Sequence, residues 1–161
     1  MIFNLYDQSD VELVREMYKD KTVGLTSGSF DIFHSAHLQY LLSCDRRCGH
    51  DGFLVVGVDS DQLVRDRKGA GRPIVPEADR LAIIEGVRCV SAAFTLETAE
   101  DFGYAAEILN ADFIFKNQDY KNVEVYGIEN TDAKLVIVPD FERTESTTAL
   151  IDKITKLNRS K

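Results

Sequence analysis

The sequence predicts a doubly wound α/β domain on a parallel sheet of about five strands, and three features lead there. Short apolar runs alternate with amphipathic stretches of helical length along most of the chain. Two of the runs, 22–27 and 53–58, carry apolar residues at neighbouring positions, which suits strands buried on both faces. A helix-length segment lies between them, as right-handed crossovers between parallel strands require. The 161 residues hold no solenoid-period repeat and no Gly/Ser or Pro linker. One Rossmann-like domain over 1–161 is therefore expected, with an N-terminal helix near 10–20 and a core over about 22–157.

The elements follow in order. Ser9 to Glu12 has the form of a capping box, and Leu13, Val14 and Met17 follow at helical spacing, which places the first helix at 10–20. Between the strands at 22–27 and 53–58, Ser35 is available as a cap, and Leu38, Leu41, Leu42 and Cys48 share one helical face. A helix from about Glu77, a strand over 90–94 and a helix started by Thr98 come next, the last turning Phe102, Ala105, Ala106 and Leu109 inward. Strands over 112–116 and 135–138 complete the sheet. Ser146 caps a final helix with Leu150, Ile151, Ile154 and Leu157 on one face. Ligands of such sheets sit beyond the carboxyl ends of the strands, so functional residues are expected just after them.

Composition narrows the classes of function. Nineteen Lys and Arg against 27 Asp and Glu give a net charge of −8, with 44% hydrophobic and 29% charged residues. That balance suits a chain with a real core and argues against both disorder and a dedicated nucleic-acid binder. The longest apolar run, 53–58, falls far short of the roughly 20 residues that span a bilayer. The first residues lack a basic segment followed by a long apolar one, so neither secretion nor membrane association is expected. Three cysteines cannot close a disulfide framework, which favours a reducing, cytoplasmic setting.

The chemistry gathers after the first strand, at Gly28-x-Phe30-Asp31-x-x-His34-x-x-His37. Gly28 relaxes a turn there, and two histidines flank a helix start. First-turn N–H groups and the helix dipole make such a place an anion site, which both imidazoles would complete. The plainer reading is two polar residues on a loop. Zinc is less well supported, because the His-Glu-x-x-His spacing and a third ligand are missing. Cys44 and Cys48, i,i+4 on one helix, tempt a metal assignment with His50, but a fourth ligand is missing and buried thiols are the commoner explanation.

This block closely resembles the Gly-x-Phe-Asp-x-x-His-x-Gly-His signature of the cytidylyltransferase-like nucleotidyltransferases. Further blocks are similar in the same order: Gly57-Val-Asp59-Ser-Asp61, Lys68-Gly69, Arg72-Pro73, Arg80, Lys116-x-x-Asp119-Tyr120 and Ser146-Thr147-Thr148. Within the family, the pattern is most similar to the adenylyltransferase domain of bacterial ADP-heptose synthase. Glycerol-3-phosphate cytidylyltransferase is the nearest rival, through Arg143-Thr-Glu145. The sequence departs from the family at Ala36, which replaces the motif glycine, and at Asn117-Gln118, where a glycine-containing pair is usual.

The resemblance implies transfer of a nucleoside monophosphate, AMP from ATP ahead of CMP from CTP, to a phosphorylated sugar or polyol. Such a transfer needs positioning and charge stabilisation, not an enzyme nucleophile. His34 and His37 are expected to hydrogen-bond the phosphates, and Lys68 and Lys116 to neutralise them, as catalytic groups. Nucleotide contacts are expected from Ser29, Phe30, Asp31, Ala36, Arg80, Ser146, Thr147 and Thr148. Arg80 would hold a phosphate or the loop around it. Asp31 would orient His34 or, as the preferred reading, begin the turn. Acceptor contacts fall to Asp59, Arg72 and Asp119. A chain this acidic that hosts a polyanion implies Mg²⁺ held mainly by the nucleotide, with no metal-ligating residues of its own. The resemblance also suggests a homodimer. A non-catalytic nucleotide-binding protein is the alternative of another class, motivated by Ala36 and Asn117.

Overall fold

A computed structural model describes residues 1–125, 127–139 and 146–159. The chain runs α1 (Gln8–Met17), β1 (Val23–Gly28), α2 (Ser35–Cys48), β2 (Phe53–Asp59), α3 (Asp61–Lys68), α4 (Glu77–Glu85), β3 (Ala92–Leu96), α5 (Glu100–Ile108), β4 (Phe113–Asn117), β5 (Lys134–Val138) and α6 (Thr147–Arg159). All five strands pair in parallel, in the order β3-β2-β1-β4-β5. The chain moves outward from β1 through β2 to β3, then returns to place β4 on the other side of β1. The crevice between the carboxyl ends of β1 and β4 is therefore the topological switch point, where open α/β sheets take their ligands.

Both faces of the sheet are covered. On one, Leu25, Val55 and Phe94 pack with Val11, Val14 and Tyr18 at the α1 end and with Phe102, Ala105 and Leu109 at the α5 end. On the other, Leu54, Val56, Val58 and Phe115 pack with Leu41, Cys44 and Cys48 of α2 and Ile84 of α4. Among the described residues, no helix is long and apolar enough to cross a membrane.

Several boundaries differ from the sequence reading, each for a local reason. Helix α1 starts at Gln8, because the Asp7 carboxylate accepts from the N–H groups of Ser9 and Asp10 and takes the capping role expected of Ser9. Its inward face is Val11 and Val14, while Leu13 and Met17 are exposed. The cap of α2 is His34, not Ser35, and Leu38 is exposed where Cys44 is buried. Strands β3 and β4 begin two and one residues later than the sequence suggests. Helix α3 was not foreseen, since Asp61–Lys68 carries six charged or amide side chains and only Leu63 and Val64 as apolar ones. Helix α6 has the expected apolar stripe, but Ile154 and Leu157 lie exposed and no residue of it is buried.

One glycine of β1 is required by close packing. A Cβ on Gly24 would meet the Cys48 thiol and lie 2.6 Å from Cε2 of Phe115. Gly24→Ala is expected to lower stability by about 1–3 kcal/mol through overpacking, read from the urea midpoint.

Candidate active site

The loop after β1 holds an unusual backbone. Phe30 and Ile32 have φ values of 47° and 48°, a left-handed conformation that a β-branched residue such as Ile32 adopts only when its surroundings impose it. Those surroundings are visible. The Asp31 carboxylate accepts from Arg72 Nε at 2.6 Å and from the N–H groups of Ile74 and Val75. Thr147 Oγ1 donates to the Asp31 carbonyl at 2.8 Å, tying the start of α6 to the same loop. Phe30 turns its ring into the core.

Asp31 therefore has a structural role and its carboxylate does not bond His34, but it fastens the distant 72–75 segment to the loop where the sequence reading has it begin its own turn. Burial pushes its pKa up, but the N–H donors of Val75 and Ile74 and the Arg72 guanidinium outweigh burial and hold it below the usual carboxylate range. The stability this contributes is present above pH 3.8 and is lost as pH falls through the lower, folded value. Asp31→Asn is expected to cost about 1–3 kcal/mol and to flatten that acid loss, measured by unfolding between pH 7 and pH 3.

Arg80 answers its two-fold expectation on one side. It is 1% exposed, and its guanidinium donates to the carbonyls of Val75, Ser29 and Asp59 and to the Asp61 carboxylate. With those four acceptors it does not line the cavity. Arg80 is corrected from a nucleotide contact to the fastener of the β1 and β2 loops.

His34 and His37 stand at the N-terminus of α2 with ring centroids 3.9 Å apart, stacked. His37 Nδ1 accepts from the His34 backbone N–H at 3.4 Å, so the neutral ring carries its proton on Nε2. Burial first, then the neighbouring His34 and Lys68, lower the His37 pKa to about 4. Burial lowers that of His34 as well. Both rings are thus neutral donors at neutral pH, suited to phosphate oxygens without adding buried charge.

At the floor, Lys116 donates to Ser27 Oγ at 2.9 Å and lies 3.6 Å from the Phe102 ring centroid and 5.0 Å from that of Tyr120. Burial lowers its pKa to about 8. Asp59 accepts from Ser29 Oγ and Arg67, each at 3.2 Å. These groups line a cavity of about 730 Å³ together with Ala36, Lys68, Arg72, Asp119, Ser146, Thr147 and Thr148. Partial desolvation, then Arg72, holds Lys68 below the ordinary lysine range. Ser146 Oγ accepts from the Ala149 N–H, capping α6 as expected. Asp119 sits at the rim, held by the Asn117 amide.

Every expected site residue other than Arg80 lines this one cavity. Arg143, with the run 140–145, lies outside the described residues. Sequence reasoning missed Ser27, Arg67 and Phe102. Ser27 precedes the motif glycine at the end of β1, where its position could have found it. Arg67 belonged to the unrecognised helix α3, and Phe102 read only as core. The thiols of Cys44 and Cys48 are buried, whereas His50 is exposed and pairs with Asp51, so the three do not form a ligand set.

A parallel sheet with a polar, cation-bearing crevice at its switch point defines a nucleotide-binding α/β domain. The cytidylyltransferase-like family model matches residues 25–152, and the chain belongs to that family. It is 35% identical over 151 residues to the bifunctional protein HldE of a Nitratiruptor species, covering 92% of this chain and 31% of that protein. It is 33% identical over 144 residues to the bifunctional protein HldE of Helicobacter pylori, covering 89% of this chain and 30% of that one. The chain thus spans about three-tenths of the length of these curated relatives. Among solved structures, it is similar to the lipopolysaccharide core biosynthesis protein from Thermoplasma volcanium. That likeness has a TM-score of 0.64 and 26% identity, over 76% of this chain and 99% of the other.

Proposed function

We propose that this nucleotidyltransferase-family domain transfers AMP from ATP to a phosphorylated sugar or polyol and releases pyrophosphate. The observation that carries the reading is the convergence of two neutral imidazole donors, Lys68, Arg72 and Lys116 on one cavity at the switch point. Its volume, about 730 Å³, lies within the ~300–1,000 Å³ of small-molecule sites.

In the transfer, an acceptor phosphate oxygen attacks the α-phosphorus in line, and the bond from that phosphorus to the pyrophosphate oxygen breaks. No proton must move and no enzyme nucleophile is needed. His34 and His37 donate to the charge that grows on the phosphoryl oxygens, and Lys68, Arg72 and Lys116 neutralise charge around it. Thr147, Thr148 and the first N–H groups of α6 face the leaving phosphates. Asp59 and Asp119 flank the acceptor.

The buried carboxylates Asp31 and Asp59 are engaged by Arg72 and Arg67. Among the described residues, no three His, Cys, Asp or Glu side chains gather to hold a metal. The residues present fit Mg²⁺ as a companion of the nucleotide, where it would neutralise phosphate charge, and the protein steps are assigned to its own side chains.

The preference for ATP rests on resemblance at the N-terminal helix and at 68–73. CTP is the second reading, favoured by Arg143-Thr-Glu145. Pyrophosphate release from ATP and CTP against hexose 1-phosphates and polyol phosphates tests both. The expected result is turnover with the larger kcat/KM for ATP. A CTP preference of about tenfold, or ~1.4 kcal/mol, reverses the donor. Calorimetric nucleotide binding without release for any pair would replace the reading with a non-catalytic nucleotide-binding protein.

A further inference from the structure

Lys116 reaches the cavity floor, and among the described residues no charged group bonds its ammonium. Its ammonium donates to a neutral hydroxyl, that of Ser27, and lies over the rings of Phe102 and Tyr120. The side chain is only 6% exposed. An ammonium stripped of water in this way gives up its proton easily, yet neutralising a phosphate requires the proton to stay.

The carboxylate at the same floor is Asp59. It ends β2, two residues beyond Gly57, the register partner of Ser27, and Lys116 lies one residue from the end of β4 on the other side of β1, so both reach the cavity at the carboxyl end of the sheet. Asp59 is 2% exposed. Its Oδ2 accepts from Ser29 and Arg67, while Oδ1 is buried and has no hydrogen-bond partner among the described residues. A buried carboxylate with an unmatched oxygen projects its field through a low-dielectric interior, where it acts over longer distances than in water.

We propose that Asp59 is the counter-anion that keeps Lys116 protonated before the nucleotide arrives, acting across the carboxyl end of β1, and that Arg67, paired with Asp59, weakens this hold. Asp59 thereby acts through Lys116 as well as flanking the acceptor, and the Lys116 titration reads the first of these roles alone. Among the described residues, the titratable groups facing Lys116 are Asp59 from β2, Arg67 from α3 and the Tyr120 phenol after β4. Helix α5 presents the Phe102 ring and β1 the Ser27 hydroxyl. Electrostatics agrees in sign: burial lowers the Lys116 pKa, Asp59 raises it and Arg67 lowers it. The charge state stands by itself, whereas its catalytic consequence rests on the nucleotidyl-transfer reading.

The experiment is an NMR titration of the ¹³Cε resonance of Lys116 in ¹³C-lysine-labelled protein, assigned by its disappearance in Lys116→Arg. The isosteric Asp59→Asn is expected to lower the titration midpoint by about one pH unit or more, and Asp59→Ser to move it the same way. Arg67→Ala, at a half-exposed position, is expected to raise it. An unchanged midpoint in either foldable Asp59 variant overturns the proposal, as does a fall in Arg67→Ala. The kinetic counterpart is a displacement of the alkaline limb of kcat/KM to lower pH in Asp59→Asn. A displaced titration in a protein that releases no pyrophosphate leaves the counter-anion standing and overturns the transfer reading instead.

Discussion

His37→Ala is expected to lower kcat by about 10²- to 10³-fold, the usual cost of removing one preorganised donor to developing charge. The fold should survive, because the imidazole contributes one long hydrogen bond to the His34 N–H at the entrance of α2. The same imidazole carries a pH signature. With a folded pKa near 4 against an ordinary 6.5, His37 stays neutral down to mildly acid pH, so kcat/KM, which reports the free protein, should show no limb from His37 between pH 6 and 7. Between pH 6.5 and about 4 the unfolded chain takes up a proton that the folded site refuses, so stability falls as pH drops through that window. His37→Ala should lose less stability over the same range. Single-turnover rates with an accepted substrate pair, together with unfolding at pH 7 and pH 4.5, check both effects. Near-wild-type turnover would remove His37 from the site.

Lys116→Met is expected to reduce kcat/KM by about 10²-fold or more while making the protein more stable at pH 7. The two effects share a cause. Burial holds the Lys116 pKa at about 8 against an ordinary 10.5, so the charged form carries a desolvation penalty at neutral pH. At about 1.4 kcal/mol per pH unit the penalty is on the order of 3–4 kcal/mol, which the lost contacts to Ser27 and Phe102 reduce to a net gain of about 1–2 kcal/mol. The sign of the pH dependence follows: between about 8 and 10.5 the unfolded chain binds the proton that the folded lysine has released. The contribution of Lys116 to stability therefore rises with pH across that interval, and Lys116→Met should lack this rise. In wild type, kcat/KM should fall above pH 8 as the free protein loses this charge. Thermal unfolding and initial rates across pH 6–10 measure all four effects.

Much of the architecture was legible because it rests on patterns that local sequence controls. The strands at 53–58 and 135–138 are apolar runs, and just before α5 the Thr98 hydroxyl accepts from the Asp101 N–H, a local bond the sequence suggests. What was hidden depends on tertiary partners. Leu38, Ile154 and Leu157 satisfy a helical period, yet periodicity does not say whether a neighbour covers the stripe. The highly polar α3 carries too few apolar residues to show a period, although the Ser60 side chain caps it. At the site, the residue types after β1, β2 and β4 were readable from their place in the chain. Their division of labour was not, because Asp31, Arg80 and Asp59 draw partners from segments 20 or more residues away. Ala36 lines the cavity at the α2 entrance, so the departure from glycine leaves a methyl group on the wall.

The most direct test follows the phosphorus atoms. Incubating the protein with an accepted phosphosugar and either [α-³²P]ATP or [γ-³²P]ATP separates nucleotidyl transfer from every other use of the same cavity. Nucleotidyl transfer predicts α-label in a phosphatase-resistant sugar nucleotide and γ-label in an equimolar amount of pyrophosphate, with neither product formed by His37→Ala on the same timescale. Transfer of γ-label to the acceptor, or release of α-label only as free adenosine nucleotide, would contradict it.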